Sequence, residues 1–225
     1  MSILDDLTKA VEDLCIRNTQ GKQYTGEDCF RAEGNPVFSV LDFWQFMYSQ
    51  LDSLSGDLAE FIVAQALGVK KAENSDYWSA YDMSYRGRRI EVKETRYIHP
   101  WNKKRVSQVR TFSIAPTNNE YWSGTLKLNS GKKLSRQSDV YVFCLNTNQD
   151  FDNQDPLDLD HWEFYIVPTF RINEYTEKIK NPDQKKISLG VVRRLAGCAV
   201  KYNDICSRVE EAIEESDRFL LNQGG

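Results

Sequence analysis

A change of period near residue 81 constrains this fold more than any other feature of the sequence. Before it, SGDLAEFIVAQALG (55–68) repeats its apolar residues at helical spacing. Ser55 or Asp57 can cap this helix, and Gly68 stands just past its last apolar residue. Nearly every side of it is apolar, so it is expected inside the protein. After it the period drops to two. YDMSY, RRIEVKE, TFSIAP, DVYVFCLN and EFYIVP read as strands, with DVYVFCLN the most deeply buried. Helical spacing returns in PTFRINEYTEKIK and from Asn203 to Leu221, where Ile205, Val209, Ala212, Ile213 and Phe219 share one face opposite acids. This order predicts an α/β (α+β) fold, a mixed central β-sheet flanked by helices.

Ahead of residue 55, Ile3, Leu4, Leu7, Val11 and Leu14 predict a helix, and Ser39 an N-cap for a second helix in SVLDFWQFMYSQL. QYTGEDCFRAEGNPVF between them reads as loop, punctuated by Gly34 and Pro36. The expected layout is one domain: an N-terminal helical segment 1–54 packed on a core of residues 55–200, then a C-terminal helix 201–225. A chain of 225 residues suits one large core. No apolar run approaches the ~20 residues that span a bilayer, and acids stand where a signal peptide would be basic. No membrane partner and a cytoplasmic location are therefore expected. Five scattered cysteines and two histidines suggest no disulfide framework and no Cys/His zinc site. A net charge of -4 excludes coating of nucleic acid through bulk positive charge. A local basic groove stays open, from Arg86, Arg88 and Arg89 or from Lys103, Lys104, Arg105 and Arg110.

The chemistry concentrates in YDMSYRGRRIEVKET. Read as a hairpin turning at Arg86-Gly87 or at Gly87-Arg88, it places Asp82 opposite Glu91 or opposite Lys93. Either register puts all three side chains on one face. A three-residue loop would move Asp82 to the other face. Two carboxylates facing across strands repel, and a divalent cation between them removes the repulsion. Hard oxygen donors point to Mg²⁺, with Mn²⁺ able to substitute. Glu60 stands in an apolar helical stripe with Gly56, Val63, Ala64 and Leu67, where packing does not call for an acid. It can serve as a third ligand or hold a metal-bound water. The plain alternatives are a salt-bridged surface hairpin and an acid stabilised by the helix dipole.

With Glu60 in the helix, Asp82 in one strand, and Glu91 and Lys93 as Glu-x-Lys in the next, residues 55–170 resemble the PD-(D/E)XK, or restriction-endonuclease-like, nuclease superfamily. Tyr81 replaces the proline of its name. The resemblance implies an α-β-β-β-α-β core, here with N-terminal and C-terminal helical additions. It also implies metal ligation by Asp82, Glu91 and the Val92 carbonyl, with Lys93 orienting or deprotonating the attacking water. Gln108 corresponds to a glutamine that some members carry downstream.

The segment WNKKRVSQVR, with Lys103, Lys104, Arg105, Gln108 and Arg110, has a composition suited to phosphate contacts and stacking. A solvated loop is the competing reading. The hairpin arginines are expected in solvent if the turn faces away from the site. The stretch DFDNQDPLDLDHWE lacks the glycine and final glutamate of an EF-hand and is expected to be a solvated loop. The function expected is Mg²⁺-dependent endonucleolytic hydrolysis of DNA, of restriction or repair type, with a junction resolvase or RNA-directed enzyme also open. The second reading is a catalytically silent nuclease-fold protein that binds nucleic acid or a protein partner. Cutting two strands would favour a homodimer, with the C-terminal helix as candidate interface.

Overall fold

The structure, a computed structural model, describes residues 15–17, 23–32, 35–47, 55–69, 81–99, 105–108, 110–117, 119–122, 125–128 and 134–223. The chain divides into two units, Met1–Leu54 and Ser55–Gly225. The predicted helix around Ile3–Leu14 lies outside the described residues.

In the first unit β1 (Cys15–Arg17) pairs with β2 (Gln23–Thr25), and β3 (Cys29–Ala32) with β4 (Asn35–Ser39), both antiparallel. The stretch expected as loop therefore carries strands. Aromatic and β-branched residues explain the difference. Phe30 and Phe38 face each other across the ladder with ring centroids 4.7 Å apart, and Pro36 sits where the register shifts, a position that needs no donor. Helix α1 (Val40–Met47) follows. As expected, Ser39 caps it: Ser39 Oγ accepts from the Asp42 N–H at 3.1 Å, and Asp42 Oδ2 accepts from the Ser39 N–H at 2.8 Å.

The second unit opens with α2 (Ser55–Leu67). Gly68, at φ +64°, donates to the Gln65 carbonyl and Val69 donates to that of Ala64. These are the two bonds of a Schellman cap. The helix buries Ala59, Ile62, Val63, Ala64 and Leu67 but leaves Phe61 59% exposed, so it is one-sided rather than interior. A helix laid on one face of a sheet needs only one apolar stripe.

The sheet consists of β5 (Met83–Tyr85), β6 (Arg88–Arg96), β10 (Val140–Asn146) and β11 (Trp162–Pro168), in the order β11-β10-β6-β5. β5 runs antiparallel to β6, β6 parallel to β10, and β10 antiparallel to β11. Between β6 and β10 the chain forms β7 (Thr111–Ser113) and a ribbon of β8 (Asn119–Trp122) with β9 (Thr125–Leu128). Among the described residues of this crossover there is no helix of the kind the resemblance implies. After β11 come α3 (Thr169–Lys178), β12 (Lys186–Ser188), α4 (Leu189–Ala196) and α5 (Ile205–Gln223). β12 pairs with β7.

All seven residues of β10 are buried, and their alternation builds two cores. Val140, Val142 and Cys144 pack with Ile90, Val92, α2 and the Ile205, Val209 and Ala212 face of α5. Tyr141, Phe143 and Leu145 pack with Phe112, Ile114, Ile172, Ile187 and α4. Each such buried side chain contributes about 1.5–3 kcal/mol. The predicted apolar face of the C-terminal helix is therefore taken up by the core, with Phe219 stacked on Phe170 at 4.1 Å. Among the described residues no helix is long and apolar enough to cross a membrane.

A side-chain pair fixes the start of β10 against β6. The Arg89 backbone N–H, Nε and Nη2 all donate to the Asp139 carboxylate, at 2.8, 3.3 and 3.1 Å. Burial pushes the Asp139 carboxyl up, but the bonds from Arg89 outweigh it and hold the group below its ordinary value. Asp139→Ala is expected to lower the unfolding free energy at pH 7 by about 1–3 kcal/mol, toward the low end because Arg89 is partly exposed. The sign follows from the depressed folded value. Wild type's advantage is full above the ordinary aspartate pKa of about 3.9 and lost as pH falls through the lower folded value. Urea titrations at neutral pH and near pH 3 check this, and a difference that stays constant would count against it.

Candidate active site

The β5–β6 turn is Arg86-Gly87, at φ +49° and +75°, with Tyr85 opposite Arg88, Ser84 opposite Arg89 and Met83 opposite Ile90. Two positive φ angles define the tight hairpin turn whose twist suits the strands. Of the two registers the sequence allowed, the first holds. β5 has only three residues, and Asp82 continues it by other means. Its N–H donates to the Ile90 carbonyl at 3.0 Å, and its Oδ2 accepts from the Val92 N–H at 2.6 Å. The carboxylate thus takes a ladder position on the β6 edge and brackets Glu91.

Glu91 and Lys93, two apart on β6, point to the same face. The Lys93 ammonium touches Glu91 Oε1 and lies 3.7 Å from Asp82 Oδ2. Ser138, buried before β10, donates from Oγ to Glu91 Oε2 at 3.1 Å. The side chains of Lys93, Asp82 and Glu91 are 26%, 20% and 16% exposed, sheltered but open to solvent. Burial pushes the Glu91 carboxyl up and Asp82 adds to this, while Lys93 and Ser138 oppose. The net direction is up. Burial pulls the Lys93 ammonium down, but Glu91, Asp82 and, more weakly, Glu60 outweigh it and hold the group above its ordinary value.

The expected repulsion between the two acids is thus relieved in part by Lys93. The triad still carries one surplus negative charge, and Glu60, half-buried on α2, adds another. Two carboxylates and a strand edge form a hard-oxygen donor set that fits a divalent cation with water in the remaining positions. Among the described residues no three acid, histidine or cysteine side chains converge to hold an ion by themselves. Glu60 acts on Lys93 electrostatically but does not complete such a cluster.

Of the expected nucleic-acid contacts, Lys103 and Lys104 lie outside the described residues. Arg105 and Gln108 are exposed. Arg110 donates to the Ser107 carbonyl at 2.7 Å and lies over the Tyr97 ring at 4.2 Å, so its guanidinium is held locally. The hairpin arginines are not simply solvated: Arg86 pairs with Glu210, Arg88 with Asp217 and Arg89 with Asp139. The acidic stretch is a loop, exposed over residues 150–155 and organised on Asn148, which donates to the Asn153 carbonyl and accepts from Asp150 and Gln154. Its end departs from the expectation: Leu159–His161 form a 3-10 turn, and Trp162, fully buried, and Glu163 begin β11.

Two residues beside the acids have no local signal in the sequence. Ser138 reaches Glu91 across 47 positions. Tyr141 is the neighbour of Glu91 in the parallel ladder, and burial and the Glu91 charge push its phenol up, keeping it a neutral donor. Both sit at the start of a buried strand, and only the strand pairing reveals their proximity to the acids.

Two carboxylates and a lysine on one face of a mixed sheet form a donor set suited to hydrolysis of an anionic ester. Residues 52–181, more than half of the chain and including Glu60 and the triad, match the family of bacteriophage T4 endonuclease IV. The chain belongs to this endonuclease family. No curated protein and no solved structure matches it.

Proposed function

We propose that this chain is a metal-dependent endonuclease of PD-(D/E)XK type that hydrolyses DNA phosphodiester bonds in the cytoplasm, in a restriction or repair role. The observation that carries the reading is the contact of the Lys93 ammonium with Glu91 and its approach to Asp82, within the segment that matches an endonuclease family. Asp82, Glu91 and the Val92 carbonyl would hold Mg²⁺ or Mn²⁺, and Glu60 a water bound to it. The ion, when bound, supplies polarisation of the scissile phosphate and a water of lowered pKa. Asp82 and Glu91 would fix where on β6 that ion sits. Lys93, with three donors and no acceptor, holds the attacking water or offsets the charge that develops on the phosphate oxygens. Water adds to phosphorus, one P–O ester bond breaks, and the leaving oxygen takes up a proton.

Purified protein incubated with plasmid, linear duplex, single-stranded and branched DNA, and with RNA, tests this. Cleavage of DNA in Mg²⁺ or Mn²⁺ and none in EDTA is expected. Tight binding without cutting of any substrate would pass the chain to the non-cutting reading.

A further inference from the structure

Positive charge is distributed unevenly over this molecule. Residues 177–194 carry Lys178, Lys180, Lys185, Lys186, Arg193 and Arg194 against Glu177 and Asp183, a net +4 in a chain of net -4. All six cations are exposed. Arg193 is engaged by Glu163 and Tyr165. Lys178, Lys180, Lys185, Lys186 and Arg194 have no carboxylate partner among the described residues. The hairpin arginines, by contrast, are each matched to an acid.

The β7–β12 ribbon explains how Lys186 is displayed. Phe112 and Ile187 point into the core against Tyr141 and Phe143, so Lys186, Ser188 and Ser113 point outward, with Lys186 opposite Ser113 and Ser188 opposite Thr111. A strand face of lysine and hydroxyl side chains offers donors and no fixed negative charge. Tyr141 and Phe143 are also the parallel-ladder neighbours of Glu91 and Lys93. The ribbon therefore covers the same face of the sheet that carries the triad. β7 leads directly out of the Arg105–Arg110 segment, and the Leu189 N–H donates to the Arg110 carbonyl at 3.0 Å, so the two basic segments meet at the ribbon end.

We propose that Lys178 and Lys180 at the end of α3, Lys185 and Lys186 at β12, and Arg194 on α4 form a second binding surface for a nucleic-acid phosphate backbone beside the triad. The proposal rests on the nucleic-acid substrate proposed above. Lys185, Lys186 and Arg194 lie beyond the family-matched residues 52–181, so family membership does not assign them. The surface would contact sugar-phosphate oxygens without base specificity and set the path of the strand away from the site.

The test measures anisotropy of labelled duplex and single-stranded oligonucleotides over a salt series in Ca²⁺, alongside cleavage in Mg²⁺. It compares wild type, Lys185→Gln/Lys186→Gln, the quadruple variant with Lys178→Gln and Lys180→Gln added, and Arg218→Gln on α5 as control. Affinity is expected to fall about tenfold or more in the quadruple variant at low salt. The salt slope should flatten by roughly 0.9 per lost contact on duplex or 0.7 on single strands. Arg218→Gln should behave as wild type. The lysines are exposed, so melting temperatures should agree within a few degrees. If the quadruple variant does not fold, single Lys186→Gln gives the slope. Cleavage by wild type with unchanged slopes in the variants overturns the surface and leaves the nuclease reading standing. Patch-dependent binding without cleavage supports the surface and removes the nuclease reading. Absence of DNA binding by wild type overturns the surface.

Discussion

Lys93→Ala is expected to cut DNA at least about a hundredfold more slowly than wild type while binding it in Ca²⁺ with little change. The ratio follows from what the ammonium touches. It contacts Glu91 and approaches Asp82, and in the proposed reaction it meets charge that grows only in the transition state. Its loss therefore falls on kcat rather than on ground-state binding. Removing it also leaves Glu91 with Ser138 as its remaining hydrogen-bond donor and Asp82 facing a like charge. The metal-free variant is accordingly expected to lose about 1–3 kcal/mol of stability, the cost of an under-compensated sheltered acid. Divalent metal should restore part of this by binding the folded state. Mn²⁺ affinity should hold or rise, since a positive neighbour has gone. Lys93→Met, which keeps the length of the chain without its charge, should behave alike. Cutting at the wild-type rate by either variant would sink the mechanism.

How far the sequence disclosed this site depends on the range of the contacts that build it. The hairpin was legible because everything it needs is local: a glycine in a two-residue turn, alternation on both strands, and two acids and a lysine whose faces follow from counting. Turn length and register required the structure, and the pairing of Tyr85 with Arg88 and the positive φ of both Arg86 and Gly87 decide them. Helices α2 and α5 were legible from periodicity. Periodicity shows which residues are apolar but not how many sides a neighbour covers, so Phe61 was expected inside and lies largely in solvent. The pairings of Arg86 and Arg88 with α5 span more than a hundred residues, and no local pattern announces them. β12 is equally opaque. Its three residues hold one apolar side chain, and it is a strand because Ile187 completes a core opposite Phe112. That pairing puts Lys186, ordinary in sequence, on a displayed face.

The second large effect separates the charge of Asp82 from its hydrogen bond. Oδ2 accepts the Val92 N–H at 2.6 Å on an edge that β5 is too short to cover, so this carboxylate completes the strand ladder as well as facing Glu91. Asparagine can keep the acceptor and lose the charge. Alanine loses both. Asp82→Asn is therefore expected to retain wild-type stability within about 1 kcal/mol, whereas Asp82→Ala, with the Val92 N–H left without its acceptor, should lose about 1–3 kcal/mol. Metal affinity should divide the variants differently. A unit charge at about 4 Å is worth roughly 1 kcal/mol in water and roughly 4 at an effective dielectric of about 20, and twice that against a dication. Both variants are thus expected to bind Mn²⁺ at least about tenfold more weakly than wild type, and to lose metal-dependent cleavage with it. Calorimetry with Mn²⁺ and chemical denaturation in EDTA read the two properties independently. Asp82→Asn binding Mn²⁺ as tightly as wild type would move the metal away from this hairpin. Equal stability of the asparagine and alanine variants would mean that the Val92 bond contributes nothing to holding the strand edge in place.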